Sequence, residues 1–414
     1  MKRNTLKYAV AATGLIGSVA AVQGQEESSN QLLASLSNVE IGGYVSASYV
    51  NVVGSNDGAL QQAGAFNSGI PGNGGTYAKD DGFNLDVVGL QFSSPIADEG
   101  WQAGYMVDLL VGPEAVGYSS SFNEPSTDDL SVKQAYVNLQ APIGNGIDIK
   151  FGHFDTIVGY EVYAPADNTQ YTRSYGFASE PFTHTGVLAA TSLTDMISVQ
   201  AGVANSMTGG VSDRAFERDG SSGNLTLLGS VGIDLAGEQF GLFDGASAYF
   251  AVVHGSSAGA NGGLVAQPLD FVSGDESTHY YASIGMPLPI ADTSFAFAWD
   301  YRDYDTHVND GGLVQAGGYT QTFGAYLDYT PAEASWSAHL RGELAESNVG
   351  YFTGAAGDEE LYAITGTFNF SLFENVLTRI ELRYDKDEEG TAFGTIQDPE
   401  DDQFMVALNA VYTF

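Results

Sequence analysis

Basic side chains are scarce in this sequence, and several of them fall where they could contact charged solutes. The chain has 14 Lys plus Arg residues against 51 Asp plus Glu residues, a formal net charge of −37. Five basic residues occupy the polar phase of segments in which polar and apolar residues alternate: Lys150, Arg302, Arg341, Arg379 and Arg383. Asp300, Glu343 and Glu381 lie in the same segments as the arginines. Two interpretations stay open, a ladder of ion pairs that neutralises inward-facing charge and a basic ladder that contacts anions in a channel.

Residues that would support catalysis, metal binding or nucleic-acid binding do not form recognisable motifs. The sequence has no cysteine, and none of its six histidines stands in a nucleophile or zinc-protease motif. The stretch that begins at Asp385 starts like a calcium loop, but its twelfth position is Ile396 instead of glutamate. The acidic connection 387–402 is interpreted as a solvated rim or as a weak divalent-cation site. The strongly negative charge argues against nucleic-acid binding. We therefore predict no enzyme activity, no cofactor and no dedicated metal site.

The first residues have the pattern of a secretory signal. Lys2, Arg3 and Lys7 precede a short apolar stretch that ends near Gly24. We predict that residues 1–24 are a signal peptide and residues 25–38 a short periplasmic segment; the alternative is an N-terminal membrane anchor. No later stretch approaches 18 uninterrupted apolar residues. The mature chain is then either soluble outside the inner membrane or embedded in a membrane as strands.

Alternation of polar and apolar residues predicts sixteen strands between residues 39 and 414. Most are about 10–13 residues long, close to the ~9–11 residues that cross a bilayer obliquely. Short and long connections alternate along the chain, which is typical of a transmembrane antiparallel up-and-down β-barrel with short periplasmic turns and long external loops. The alternative is a soluble all-β protein, such as a propeller or tandem sandwiches. The predicted strands cover 39–53, 83–94, 101–111, 130–141, 147–155, 183–192, 196–205, 224–235, 245–255, 277–287, 293–305, 319–330, 334–347, 361–371, 375–386 and 403–414.

Three short stretches resemble a known family. Gly152–Glu161, Ser174–Phe177 and Pro181–Val187 are similar to segments of the OmpL-like β-barrel porins. The C-terminal Tyr412, Thr413 and Phe414 resemble the terminal aromatic signal by which the assembly machinery recognises Gram-negative outer-membrane proteins. The resemblance implies a porin-like channel in the cell outer membrane.

The third long connection, 156–182, is the predicted constriction loop, because this chain resembles sixteen-stranded porins in loop order, and their third external loop folds into the barrel. It carries Glu161, Asp167 and Arg173 together with six aromatic residues. Folded inward, it would set the two acids opposite the arginines and create a transverse field across the pore. Packed over the mouth or against another subunit, it would be a cover instead.

These observations predict an outer-membrane porin that passes small hydrophilic solutes and ions by passive diffusion. Its expected partners are outer-membrane lipid, the solutes, the assembly machinery and two further copies in a homotrimer. The alternative function is a surface adhesin or structural barrel with a plugged lumen and acidic, divalent-binding external loops.

Overall fold

The computed structural model describes thirteen stretches of the chain: 39–53, 81–94, 100–117, 130–207, 211–215, 224–257, 276–305, 307–308, 314–315, 317–352, 357–388, 393–394 and 399–414. The predicted signal peptide and the segment 25–38 lie outside these stretches. Within them, no helix combines the length and the apolar character needed to cross a membrane.

Sixteen strands pair with their neighbours, all antiparallel, and close into one barrel. The predicted count is confirmed, and each predicted boundary lies within two residues of the observed one. The strands are β1 Glu40–Val53, β2 Gly82–Ser94, β3 Gln102–Val111, β4 Leu130–Ala141, β5 Ile147–Asp155, β6 Thr183–Ser192, β7 Ile197–Ala204, β8 Thr226–Leu235, β9 Ala246–Ser256, β10 Glu276–Pro287, β11 Thr293–Tyr304, β12 Gly318–Tyr329, β13 Trp336–Ser347, β14 Glu359–Phe373, β15 Val376–Asp387 and β16 Asp402–Thr413.

The seam of the barrel joins the first and last strands. β1 pairs with β16 from Tyr44 opposite Thr413 to Val53 opposite Phe404. Gly43 and Phe414 extend this pairing, because each backbone N–H donates to the other residue's carbonyl oxygen at 3.0 Å. The barrel wall therefore has no unpaired edge strand, as a sheet surrounded by lipid requires.

The two faces of each strand differ in burial, and β15 shows the pattern most clearly. Arg379, Glu381 and Arg383 point inward and are buried, whereas Ile380 and Leu382 on the other phase are 43% and 46% exposed. A soluble sandwich would bury the apolar phase in its core. Here the apolar phase forms the outer surface, so the predicted soluble alternative is wrong.

Aromatic side chains lie near both ends of the outer surface. At the short-turn end, Tyr329 and Trp336 pack with ring centroids 5.8 Å apart. Toward the long-loop end, Tyr301 stacks against Tyr319 at 5.9 Å and against Trp299 at 6.1 Å. Such belts are typical of strands whose ends reach the membrane–water interfaces, where these rings are favoured.

Among the described residues, parts of at least two long connections enter the lumen. The β3–β4 connection begins with a 3₁₀ helix, Pro113–Gly117, in which Ala115 is fully buried. The β5–β6 connection, 156–182, contains a 3₁₀ turn at Pro165–Asp167 and a short helix, α1, at Tyr175–Ser179. The side chain of Ser174 caps α1 by accepting a hydrogen bond from the Phe177 N–H at 3.1 Å. These segments place side chains from two loops inside the barrel.

Candidate functional site

The β5–β6 connection, called here the inner loop (residues 156–182), fills part of the lumen. Every residue from 170 to 181 is buried. A segment of this size can lie inside a barrel only if the wall satisfies its backbone and side-chain polar groups. The contacts that do so differ between residues 157–160, called here the apolar half, and residues 161–175, called here the arginine half.

The apolar half of the inner loop packs mainly by apolar contact. Ile157 and Val158 belong to a buried cluster that includes Leu188 of β6 and Tyr281 of β10. Tyr160 packs on Tyr326 of β12 with ring centroids 4.2 Å apart. The Tyr249 hydroxyl also donates a hydrogen bond of 2.7 Å to the Ile157 carbonyl oxygen.

The arginine half is held by arginines, and Arg341 of β13 is the central one. Its guanidinium contacts the Glu161 carboxylate at 2.7 Å and the Glu343 carboxylate at 2.6 Å. It also donates to the Thr172 carbonyl oxygen at 2.8 Å. The Arg341 side chain is 0% exposed, so its charge is compensated by contacts within the protein.

Arg383 of β15 extends this network toward α1. It pairs with Asp385 at 2.7 Å and donates to the Arg173 carbonyl oxygen at 2.9 Å. The Tyr175 hydroxyl donates to Asp385 at 2.7 Å, and the Tyr175 N–H donates to Glu343 at 2.7 Å. The same wall residues therefore neutralise each other and hold the loop backbone.

Two further residues of β15 bind the middle of the inner loop. The Glu381 carboxylate accepts hydrogen bonds from the backbone N–H groups of Tyr171, at 2.6 Å, and Thr172, at 2.9 Å. Arg379 donates to the carbonyl oxygens of Pro165, at 2.7 Å, and Asn168. Acceptors on the wall thus meet loop donors, and donors on the wall meet loop acceptors.

This arrangement differs from the expected transverse field. Glu161 is in contact with Arg341 instead of facing it across open water, and Arg379 and Arg383 lie beneath the loop. The physical reason is that a buried carboxylate needs a compensating partner, so the loop acid approaches the arginine to hydrogen-bonding distance. The wall ladder contains ion pairs, as the first interpretation expected, and it also anchors the loop.

Arg302 and Asp300 of β11 lie on the same inner wall. The Arg302 guanidinium donates to the Ser277 hydroxyl at 3.2 Å and lies over the Tyr304 ring at 4.9 Å. Asp300 contacts the His279 ring at 2.9 Å. Both residues are buried, and their strand brings them near α1, which contacts β11.

Glu180, which follows α1, carries a buried carboxyl group. Burial raises its pKa well above the usual range, and the nearby charges of Asp300 and Glu161 raise it further. The loop comes very close to itself here, because a Cβ atom built on Gly159 would lie 2.3 Å from a Glu180 carboxyl oxygen. Gly159 also has a φ of +111°, a conformation that favours glycine.

An open cavity of about 430 Å³ remains beside the inner loop. Its lining includes Lys150 and Asp167, two of the predicted site residues, and also Lys133, Asp108 and Asp155, which the sequence analysis did not select. Lys133 contacts Asp155 at 2.5 Å and Asp108 at 3.7 Å. Of the remaining predicted residues, Glu161 also borders this cavity, and Arg173 is buried in the loop, donating to the carbonyl oxygens of Tyr171 and Tyr163.

A β-bulge explains why Lys133 was missed. Strict alternation puts Lys133 on the phase of Val137 and Leu139, which are exposed on the outer surface. The pairing of β3 with β4 passes from Gln134 directly to Val132 and skips Lys133, which turns inward. A single-residue break in period two is not visible in the sequence pattern.

The predicted assembly residues lie on the outer surface. Tyr412 and Phe414 are about half exposed, and their rings stack with centroids 6.5 Å apart. Their role in assembly stays a prediction. Among the described residues, no group of three or more His, Asp or Glu side chains could hold a metal ion. Much of the acidic connection 387–402 lies outside those residues.

Comparisons with known proteins agree with this geometry. Residues 38–414 match the model of one family, described as "Putative beta-barrel porin-2, OmpL-like". A search of curated proteins finds no match. The solved structure of the outer membrane channel DcaP of Acinetobacter baumannii has a TM-score of 0.56 and 13% identity, covering 91% of this chain and 97% of its own.

Two further solved structures have the same fold. An anion-selective porin from Comamonas acidovorans has a TM-score of 0.55 and 13% identity, covering 91% of this chain and 99% of its own. The trimer form of OmpT, an outer membrane protein of Vibrio cholerae, has a TM-score of 0.54 and 12% identity, with the same two coverages. At these identities the likeness establishes the fold alone.

Proposed function

Because this chain belongs to the OmpL-like β-barrel porin family and is located in the outer membrane, we propose that it passes small hydrophilic solutes and ions by passive diffusion. The family and the closed barrel already make it a porin-like channel protein of the outer membrane. We add to this that the solutes are small and hydrophilic and that their passage consumes no energy.

The observation that carries this proposal is the cavity beside the inner loop. Its lining mixes charged side chains, such as Lys133 and Asp155, with amides such as Gln91 and Gln134. Fixed charges and hydrogen-bonding groups on a pore wall replace part of a solute's hydration shell, so polar solutes are favoured over apolar ones. A cavity of about 430 Å³ has room for small solutes only.

The family and the fold also favour a channel over an enzyme. The alternative of a plugged surface barrel is supported by one observation, the complete burial of residues 170–181 inside the lumen. The cavity favours the channel, because a purely structural plug would be expected to pack without a charged cavity beside it.

We further propose that three copies associate and that the apolar outer face meets lipid. The trimer form of the Vibrio cholerae relative supports the association. The exposed apolar phase, including Leu382 and Ile380, supports the lipid contact. Insertion is proposed to depend on the outer-membrane assembly machinery.

Planar-bilayer recording tests the diffusion proposal. The mature chain, refolded in detergent, is expected to insert with discrete conductance steps in KCl. Because acidic residues greatly outnumber basic ones, reversal potentials under a KCl gradient should reveal a mild preference for cations. Salt screens charges over about 8 Å at physiological ionic strength and over shorter distances in concentrated salt. The preference should therefore shrink as the KCl concentration rises.

The control is the same preparation kept unfolded in urea, which should give no steps. Folding of the barrel is checked by its faster migration on gels when the sample is unheated than when it is boiled. If the folded barrel inserts but gives no conductance, the channel proposal is wrong and the plugged alternative is favoured.

A further inference from the structure

The five basic residues predicted on the inner wall divide into four that bind protein groups and one, Lys150, that faces the cavity. Arg341 and Arg383 form ion pairs with carboxylates and bind the inner loop. Arg379 donates to loop carbonyl oxygens, and Arg302 donates to a serine hydroxyl. All four guanidinium groups are buried and engaged with protein atoms. Lys150 is therefore the member of this set whose charge can act on a solute.

The ammonium group of Lys150 on β5 lines the cavity and lies over the Tyr136 ring, 5.0 Å from its centroid. Within the part of the chain that the structure describes, it makes no ion pair and no side-chain hydrogen bond. A ring face stabilises a cation without neutralising its charge. The N–H donors of the ammonium group therefore stay available to an acceptor in the cavity.

Asn138 of β4 lies directly opposite Lys150 in the pairing of β4 with β5. It shares the inner phase of β4 with Tyr136, because Val137 and Leu139 are exposed on the outer surface. Opposite residues on one face of a sheet have Cβ atoms about 4.5–5.5 Å apart, so one small ion can contact both side chains. The Asn138 amide makes no hydrogen bond with another described residue, which leaves its N–H groups as a second, neutral donor.

Three charged side chains act on Lys150: Asp155, Lys133 and Asp148. The charge of Asp155 is compensated by Lys133, which contacts it at 2.5 Å. Asp148 lies two residues before Lys150, about 6.5 Å away along the strand, and it is exposed, so water and salt screen its charge. Lys150 therefore presents a positive charge to the cavity that no neighbour neutralises by contact.

Resting on the proposed channel function, we propose that Lys150 determines how readily small anions pass through the cavity, with Asn138 as a neutral donor beside it. The acids that line the cavity outnumber its two lysines, so the rest of the lining repels an anion. Lys133 offers no compensation, because it is held between two carboxylates. Lys150 binds chloride or the carboxylate of a short organic acid by a charge-assisted hydrogen bond. The site offers few donors, so the anion is held weakly enough to leave again, as conduction requires.

Reversal potentials across a planar bilayer, measured under a gradient of concentrated KCl, test the proposal. Screening acts over about 3 Å at 1 M salt, so charges of the external loops count little and charges inside the lumen dominate. Lys150→Gln should lower the permeability of chloride relative to potassium about two- to threefold, a change in the range of exposed ion-pair energies. Lys150→Arg keeps the charge and should retain the wild-type ratio.

A second variant tests the position of the site while the lysine is still present. Asn138→Asp places a carboxylate opposite Lys150, where it pairs with the ammonium group, and it should lower the permeability ratio as well. The control is Lys386→Gln, which removes the same charge from a lysine that pairs with Asp401 and does not line the cavity. It should retain the wild-type ratio.

Repeating the measurement in potassium acetate separates the two kinds of anion. A loss of permeability for both chloride and acetate in Lys150→Gln supports a site for small anions in general. A loss for one of them supports the site and restricts it to that anion.

The outcomes also separate this inference from the channel function. If the wild type carries current and Lys150→Gln keeps the wild-type ratio for both anions, the inference is wrong and the channel stands. An equal loss in Lys386→Gln would mean that net charge sets the ratio, and it would overturn the inference too. If Lys150→Gln does not fold, Asn138→Asp decides by the same criterion. If the folded wild type carries no current, both proposals fail.

Discussion

Residues 157–160 and residues 161–175 belong to the same inner loop, yet they bind the barrel wall by different interactions. The first group contributes Ile157, Val158 and Tyr160 to an apolar cluster against β6 to β12. The second group makes hydrogen bonds and an ion pair with β13 and β15, centred on Arg341 and Arg383. Apolar contacts are non-directional and depend on buried area, whereas guanidinium contacts require a defined geometry. The apolar half should therefore stabilise the docked loop, and the arginine half should determine the position of the loop in the lumen.

Breaking the arginine half should have the largest effect. Arg341→Met leaves Glu161 buried without its cation and leaves Glu343 with Arg383 alone, at 3.4 Å, which costs about 3–5 kcal/mol. The loop is expected to leave its position, so that single-channel conductance rises. Trypsin should then cleave after Arg173, which is buried in the native loop.

The matched control for that prediction is Lys386→Met, which removes an ion-paired but partly exposed lysine of β15. It should change neither the conductance nor the cleavage. Native conductance and a protected Arg173 in Arg341→Met would mean that the apolar half alone positions the loop.

Weakening the apolar half should have a smaller and different effect. Ile157→Ala removes a buried side chain and should cost about 2 kcal/mol, the low end for such truncations, because the loop can shift to fill the space. Thermal unfolding followed by circular dichroism should occur at lower temperature, with conductance nearly unchanged. The exposed Ile290→Ala is the control and should leave the unfolding temperature unaltered. A large rise in conductance in Ile157→Ala would mean that the apolar half also determines the position of the loop.

The smallest effect at neutral pH is expected from substitution of Glu180, which lies near the end of the inner loop. Its folded pKa is raised, mainly by burial, so its contribution to loop docking is full at pH below 4.5 and is lost as pH rises through the folded value. The loss is at most about 1.4 kcal/mol per pH unit. Glu180→Gln imitates the protonated acid and should keep Arg173 protected from trypsin at alkaline pH, where the wild type becomes cleavable. The exposed Glu238→Gln should behave like the wild type, and equal cleavage of the Glu180 variant and the wild type at every pH would refute the assignment.

The same contrast explains which parts of the molecule the sequence could predict. Strand positions follow from period two, because lipid outside and polar groups inside force each strand to alternate. This is why Arg379, Glu381 and Arg383 were placed on the inner face. Alternation predicts which face of a strand a side chain lies on, but it does not predict which residue that side chain contacts. The contact of Glu161 with Arg341, 180 residues apart in sequence, could therefore not be predicted. Lys133 was not predicted as an inner-wall residue for a local reason, because one β-bulge turns its side chain from the outer to the inner face of β4.

The distance in sequence between the inner loop and its partners also constrains the order in which the molecule can assemble. Thr172 binds Glu381, 209 residues further along the chain, and Tyr175 binds Asp385, 210 residues further along. Until β13 and β15 have joined the sheet, Glu161 has no arginine beside it, and the loop would place an unpaired charge in the lumen. Contacts this distant in sequence form late, because the entropy of closing the intervening chain opposes them. The barrel wall should therefore form first and remain wide during its construction, and the passage should narrow only as the last strands close the seam.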